Sequence, residues 1–473
     1  MSSFVNAVRN QEARTTNGMK ARASTANACV DLFFKIGASR GKNIVPAFVA
    51  AFTENQEIAL RIAQWARDIR GGAGERQIFR DILSWLETNE PLVAAMLLEK
   101  IPEVGRWDDA LVFGKDQFLK ELSFSMIGEA IAKGNGLAAK WMPRKGAIAN
   151  ELRSFLGMSP KQYRKTLVNL TKVVEQNMCA QDWDSINFSQ VPSLAHARYK
   201  KAFNRHTPKY ASYVADLVKG TKGVKVNAGA VYPYDVLKGR INHYFHFDKT
   251  ELDLIEKQWE ALPDYTGGKN ILPLVDVSGS MTCPAGGVYS KSMVTCLEVA
   301  VSLGLYCADK NQGKFKDCFL TFSSTPELLH LTGSINKKIH QMVQSNWAMS
   351  TNLHAAIEKI LTTAVNGKVS ADEMPEMLLI FSDMQFNVCT RYDDTAMKMI
   401  ERKYEKHGYA VPKIVFWNLN SNDNVPVKFD ERGTALVSGF SPAIMKALFS
   451  GNVESFTPEY IMREAVCIPR YDL

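Results

Sequence analysis

The chain has 473 residues, 46% hydrophobic and 22% charged, an ordinary globular composition that excludes a mostly disordered polypeptide and favours two or three domains. No apolar run approaches the ~20 residues of a membrane-spanning helix, and the opening MSSFVNAVRNQEART is too polar for a secretory segment, which predicts a soluble, cytoplasmic protein with no membrane partner. The net charge of +8 is unevenly spread: residues 1–250 carry 36 Lys and Arg against 23 Asp and Glu, residues 251–473 carry 21 against 26. Most of the excess lies between Lys133 and Lys225, where 17 basic side chains face 5 acidic ones. One face suited to a polyanion is expected there, although a merely solvated surface reads the same way.

In chain order, residues 1–23 read as an N-terminal segment and 24–265 as helical. Ile58, Ile62, Trp65 and Ile69 fall on one stripe, Ile78, Ile82 and Leu86 on a second, and Tyr163, Leu167, Leu170 and Val174 repeat the spacing. Ser159, Pro160 and Gln162 form a helix start, with Ser as cap, Pro in the first turn and Gln reaching back. Breaks fall at Gly71–Gly74, Gly134–Gly136 and Gly220–Gly223. Stacked helical hairpins, as in a HEAT-like solenoid, are expected, though no strict sequence period is present.

Residues 266–473 change to an α/β grammar. Apolar runs at Asn270–Val277, Phe315–Phe322, Met377–Phe381 and Lys413–Leu419 alternate with helical stretches at 290–309, 335–345, 353–365 and 393–407. Short buried strands separated by helices predict a doubly wound, largely parallel sheet, whose ligands bind beyond the carboxyl ends of the strands. Eight cysteines, at 29, 179, 283, 296, 307, 318, 389 and 467, have no C-x-x-C spacing and read as reduced thiols.

Polar residues concentrate at those strand ends. Asp276, Ser278 and Ser280 alternate directly after the first run, and Gly279 lets the backbone turn tightly enough for their oxygens to converge. Thr351 lies just before a helix, and Asp383 ends the run Leu378–Asp383. An all-oxygen set suits Mg²⁺ or Mn²⁺ far better than zinc; a capping Asp with two turn serines is the plain structural alternative. The pattern resembles the metal-ion-dependent adhesion site of von Willebrand factor A domains, which have a Rossmann-like fold. That resemblance implies hydroxyl ligation by Ser278, Ser280 and Thr351, with Asp276 and Asp383 acting directly or through water. One position would stay open for a ligand oxygen, often an acidic side chain of a partner. Phosphatases of the haloacid dehalogenase type also carry an Asp after a first strand, but their second Asp is replaced by Ser278, which cannot shuttle a proton near neutral pH.

A helical array before such a domain resembles the Ro autoantigen family, in which a HEAT-like TROVE ring or horseshoe is closed by the A domain. Arg67–Arg76, Val104–Asp109, the tract around Lys200–Phe203 and Val226–Pro233 look more specifically like an uncharacterised branch of such proteins from phages, bacteria, plants and fungi. Gly71–Gly74 follows a helix and lacks the Lys-Ser/Thr of a phosphate-cradling loop, so a turn between helices is expected, with Asp68, Arg70, Glu75 and Arg76 pairing to fix them. Trp107-Asp108-Asp109 reads as a buried Trp followed by a helix cap.

Candidate phosphate contacts are Lys140, Arg144, Lys145, Lys161, Arg164, Lys165, Lys200, Lys201 and Arg205. Trp141, Phe155, Tyr163, Tyr199, Phe203, Tyr210 and Tyr213 are interleaved with them, and aromatics at helical spacing are more often core than stacking platforms. His243 and His246 lack an HExxH context, and no nucleophile elbow occurs. The expected function is a non-enzymatic, Ro-like RNA-binding ribonucleoprotein component with a divalent-metal site. The alternative is an adaptor that engages a partner carboxylate at the metal and binds no RNA.

Overall fold

The structure, a computed structural model, describes the chain apart from residues 1–11, 230, 242–248, 286–293, 323, 346, 348–350, 388–394, 421, 423 and 450–454, and apart from the side chains of Ala197 and Phe322. His243 and His246 lie outside the described residues, as does Cys389. Among the described residues no helix is long and apolar enough to cross a membrane.

A short antiparallel pair, β1 (Glu12–Arg14) and β2 (Lys20–Arg22), precedes the helices. Its outer side joins the C-terminal half: Arg22 and Val425 exchange backbone hydrogen bonds of 3.0 and 2.8 Å. Helices then follow one another from Ala28–Ile36 to Lys249–Glu260, with most of the early ones packed on their sequence neighbours. Their starts obey local chemistry. Ser159 and Gln162 form the reciprocal cap expected before Pro160–Leu170, and Gly220 closes Pro208–Lys219 in the left-handed conformation that glycine favours.

The C-terminal half is a six-stranded mixed sheet: β3 (Ile271–Asp276), β4 (Cys318–Phe322), β5 (Glu327–His330), β6 (Met377–Ser382), β7 (Lys413–Asn418) and β8 (Thr434–Ser438), in spatial order β5-β4-β3-β6-β7-β8. Every pairing is parallel except β4 with β5 at the edge. Strands β3 and β6 are buried at every position, as central strands covered on both faces must be. Pro273 is tolerated inside β3 because the β4 ladder begins only at Leu274, so its missing N–H breaks no bond on that side. The chain leaves β3 to one side for β4 and returns to its other side for β6. The switch point therefore lies between the carboxyl ends of β3 and β6.

The two halves share one apolar core that runs from Met19 to Tyr471. The helix Ala28–Ile36 lies on β8, where Ser438 Oγ donates to Phe33 O at 2.9 Å and accepts from Gly37 N at 3.0 Å. A Cβ at Gly37 would come within 2.7 Å of Ser438 O, so only glycine allows this approach. The last helices return to the same half: Trp259 Nε1 donates to Asp309 at 2.8 Å, and Ile335 N donates to Glu256 at 2.7 Å. A second, aromatic core gathers Phe188, Phe203, Tyr210 and Tyr213 within residues 174–226, with Leu254.

The Arg67–Arg76 segment does turn between helices, but its ions reach elsewhere than expected. Asp68 accepts from Arg470 Nε at 2.5 Å and from the Tyr471 hydroxyl at 3.1 Å, and Glu75 pairs with Arg40 at 2.7 Å. Gln64 donates to Tyr471 O at 2.9 Å beside them. Asp109 is fully buried and accepts from Arg67, Arg80 and Arg76 together with Arg106 N, while Arg76 also pairs with Asp108. It is thus the acceptor of an arginine cluster more than a simple cap, and Trp107 is only half-buried. Asp68→Ala should destabilise the whole protein by about 2–4 kcal/mol, because Tyr471 and Arg470 lose a largely buried acceptor. Urea melts followed by fluorescence should keep one transition. Two separated transitions, or a loss below about 0.5 kcal/mol, would contradict a shared core.

Candidate metal centre and basic surface

At the switch point the short β3 strand ends on Asp276, and the chain turns at once into the one-turn helix Gly279–Thr282. Asp276 Oδ1 accepts from Ser278 N at 2.9 Å, which closes the turn, and Oδ2 accepts from Ser382 Oγ at 2.6 Å across to β6. Ser278 Oγ lies 3.0 Å from Ser280 Oγ, and the Ser280 hydroxyl faces the Asp383 carboxyl. Asp276, Ser278 and Asp383 are buried, whereas Ser280 is exposed. Thr351 is buried at the start of Leu353–Asn366, and its carbonyl accepts from Asn387 N at 3.0 Å, which ties it to the loop after Asp383.

Burial pushes the Asp276 carboxyl up to about 7, and the neighbouring Asp383 charge adds to the rise against the lowering hydrogen bonds of Ser278 and Ser382. Asp383 is raised as well, first by burial, against a hydrogen bond from Ser280 and the more distant charge of Lys42. Two carboxylates in one dry site repel, and either a proton or a cation relieves them. The donors that converge are oxygens, which fits a hard cation such as Mg²⁺ or Mn²⁺. Among the described residues no three His, Cys, Asp or Glu side chains gather as a softer or more acidic metal cluster would require.

Several supporting groups were not apparent in the sequence. Ser382 bridges Asp276 to β6, and its hydroxyl also accepts from Met384 N at 3.0 Å. Gln385 N donates to Asp383 at 3.2 Å, and Asn422 Nδ2 donates to Asp383 O at 3.0 Å. The N-terminal segment holds this loop from outside: Gln385 Oε1 accepts from Thr16 N at 2.6 Å, and Thr15 Oγ1 donates to Phe386 O at 2.7 Å. The adjacency of Ser382 to Asp383 was the one local signal available.

The basic candidates divide between the two packing units. Arg144, Lys145, Lys161, Arg164 and Lys165 are exposed around the helix Pro160–Leu170. Lys140 is half-buried with its ammonium 5.2 Å from the Trp141 ring centre, and Arg106 covers that ring at 3.5 Å. Lys201 and Arg205 are exposed on Ser193–His206, on the second core, but Lys200 pairs with Glu251 at 3.2 Å. These three line a recess of about 400 Å³ with Asn204 and Thr250. Tyr163, Phe203, Tyr210 and Tyr213 are core, and Phe155 alone of the interleaved aromatics is exposed.

A family described as a domain of unknown function (DUF2828) matches residues 15–124 and 124–265, more than half of the chain. The chain belongs to the DUF2828 family. A second description, also a domain of unknown function (DUF7788), matches residues 270–465 and so covers the sheet that bears the candidate centre. Neither description names TROVE or von Willebrand A. This DUF2828 chain is 30% identical over 507 residues to "Uncharacterized protein L728" of Acanthamoeba polyphaga mimivirus, with 94% of this chain and 85% of that protein covered. It is also similar to the crystal structure of the Deinococcus radiodurans RO (RSR) protein at 15% identity and a TM-score of 0.37, over 92% of this chain and 93% of that one. A likeness so distant bears on neither fold nor function.

The raised Asp276 carboxyl gives a testable pH dependence. Its proton is held more tightly in the folded than in the unfolded chain, so stability from this group is full below the ordinary aspartate range and is lost as pH rises through about 7. In chelator, Asp276→Asn should therefore gain stability relative to wild type between pH 5 and pH 8, measured by urea melts. A difference that does not change with pH would contradict the buried-pair account.

Proposed function

We propose that the chain is a non-enzymatic RNA-binding protein with a divalent-metal centre, in which Ser278, Ser280 and Thr351 offer hydroxyl oxygens and Asp276 and Asp383 carboxylate oxygens. The observation that carries the metal reading is the pair of buried carboxylates, with the Ser278, Ser280 and Ser382 hydroxyls beside them, at the switch point. A bound Mg²⁺ or Mn²⁺ would neutralise that pair and present a positive charge to an oxygen of a ligand. With its oxygens drawn together around two buried carboxylates, the site is proposed to bind a cation and to act by binding alone.

Support for RNA comes from charge. The exposed Arg144, Lys145, Lys161, Arg164 and Lys165, with Lys201 and Arg205, supply the salt-sensitive attraction that phosphates need. Lys200 contributes less, because Glu251 already pairs with it. The helical region starts and ends against the sheet half, which agrees with a Ro-like ring closed by that half. One observation favours the adaptor reading: Ser280 is exposed while Asp276, Ser278, Thr351 and Asp383 are buried, so a partner carboxylate could reach the site at Ser280.

Calorimetry tests the metal. Wild type should bind Mg²⁺ or Mn²⁺, Asp276→Ala should lose that binding while keeping its circular dichroism, and unchanged affinity in the variant would sink the assignment. Filter binding of a structured RNA with a single-stranded tail tests the partner. Replacing Lys161, Arg164 and Lys165 together by Glu should weaken binding steeply and flatten its salt dependence, by a slope of about 0.7 per lost phosphate contact. Absence of saturable, salt-dependent binding by wild type would leave the adaptor reading.

A further inference from the structure

Two thiols meet beside the serine loop. Cys283 follows the one-turn helix Gly279–Thr282 directly, and Cys296 begins the helix Cys296–Lys310. Backbone pairing brings them opposite each other: Ala285 N donates to Val294 O at 2.8 Å, Pro284 bridges Thr295, and Cys296 N donates to Cys283 O at 3.0 Å. Residues opposed in such an antiparallel pair have Cα atoms about 5.5 Å apart, inside the roughly 4.4–6.8 Å that a disulfide spans. Their sulfurs lie 3.5 Å apart. Both are free thiols, Cys283 half-buried and Cys296 buried. Asn420 Nδ2 approaches the Cys283 sulfur at 3.5 Å, and the Cys296 sulfur sits 3.5 Å from Leu419 O. A small oxidant can therefore reach Cys283, whereas Cys296 is shielded and aimed at it.

We propose that Cys283 and Cys296 form an oxidisable pair that closes to a disulfide under a hydroperoxide, and that this cross-link weakens cation binding at the neighbouring serines. The second part rests on the metal reading above. The Cys283 thiolate attacks a peroxide oxygen, the O–O bond breaks, and a sulfenic acid forms as one water or alcohol leaves. The Cys296 sulfur then attacks the sulfenic sulfur, the S–S bond forms and the S–O bond breaks, releasing water. Two thiols and one hydroperoxide thus become a disulfide, an alcohol (water, for hydrogen peroxide) and water. The sulfurs must close from 3.5 Å to about 2.05 Å. Cys283 N donates to Ser280 O, so that movement pulls on the turn carrying Ser280.

The reduced full-length protein, exposed to hydrogen peroxide, alkylated and digested without reductant, should give a Cys283–Cys296 cross-linked peptide by mass spectrometry. Cys296→Ala should instead leave Cys283 as a dimedone-labelled sulfenic acid. Both cysteines remaining reduced while the exposed Cys179 and Cys467 oxidise would overturn the proposal, as would Cys283 joined to any other cysteine. The mapped disulfide form should bind Mg²⁺ about tenfold more weakly than the reduced form, with recovery in dithiothreitol. Equal affinity would overturn the coupling. If the reduced protein binds no Mg²⁺, the metal reading and the coupling both fail, but a mapped disulfide still supports the pair.

Discussion

Two carboxylates buried side by side at the ends of adjacent parallel strands are the constraint around which this sheet edge is built. Asp276 closes β3 and Asp383 follows β6, and neither can keep its full charge unaided in so dry a place. The surrounding donors answer that demand in part. Ser278 N and Ser382 Oγ satisfy Asp276, and Gln385 N donates to Asp383. What remains is excess negative charge, which a proton relieves at low pH and a hard cation would relieve above it.

Residues before the sheet half contribute to this edge, so the site draws on more than the sheet. Thr15 and Thr16 of the N-terminal segment hold the loop that carries Gln385, and Lys42 donates to Asn420 at 2.9 Å. Elsewhere the halves are joined by polar groups that would be orphaned if they parted. The C-terminal Arg470 and Tyr471 converge on Asp68, and Ser438 serves two backbone groups of the first helix and its end. Such contacts are directional, and together with the continuous apolar core they fix one arrangement of helices against sheet.

What could be read from sequence was what depends on neighbours along the chain. The alternate Asp276, Ser278 and Ser280 signal a converging loop because i, i+2 spacing after a strand places their side chains on one side of it. The cap at Ser159 and the stop at Gly220 were legible for the same local reason. Strands β5 and β8 were missed: β5 is short and partly exposed, and β8 gains its identity only by pairing with β7. The Asp68 and Glu75 partners differ from the expected local pairs because Arg470 and Arg40 lie far off in sequence, and nothing local marks a pair. The same holds for Lys200, whose Glu251 partner turns a candidate phosphate contact into a structural ion pair.

The central claim is the proposal that Asp276, Ser278, Ser280, Thr351 and Asp383 would together hold a hard divalent cation. Anomalous diffraction from crystals soaked in Mn²⁺ above pH 7.5 tests it most directly. The account predicts a single strong anomalous peak among Asp276, Ser278, Ser280, Thr351 and Asp383, and no such peak in crystals of Asp276→Ala. Well-ordered side chains at that edge without a peak, or an undiminished peak in the variant, would contradict it.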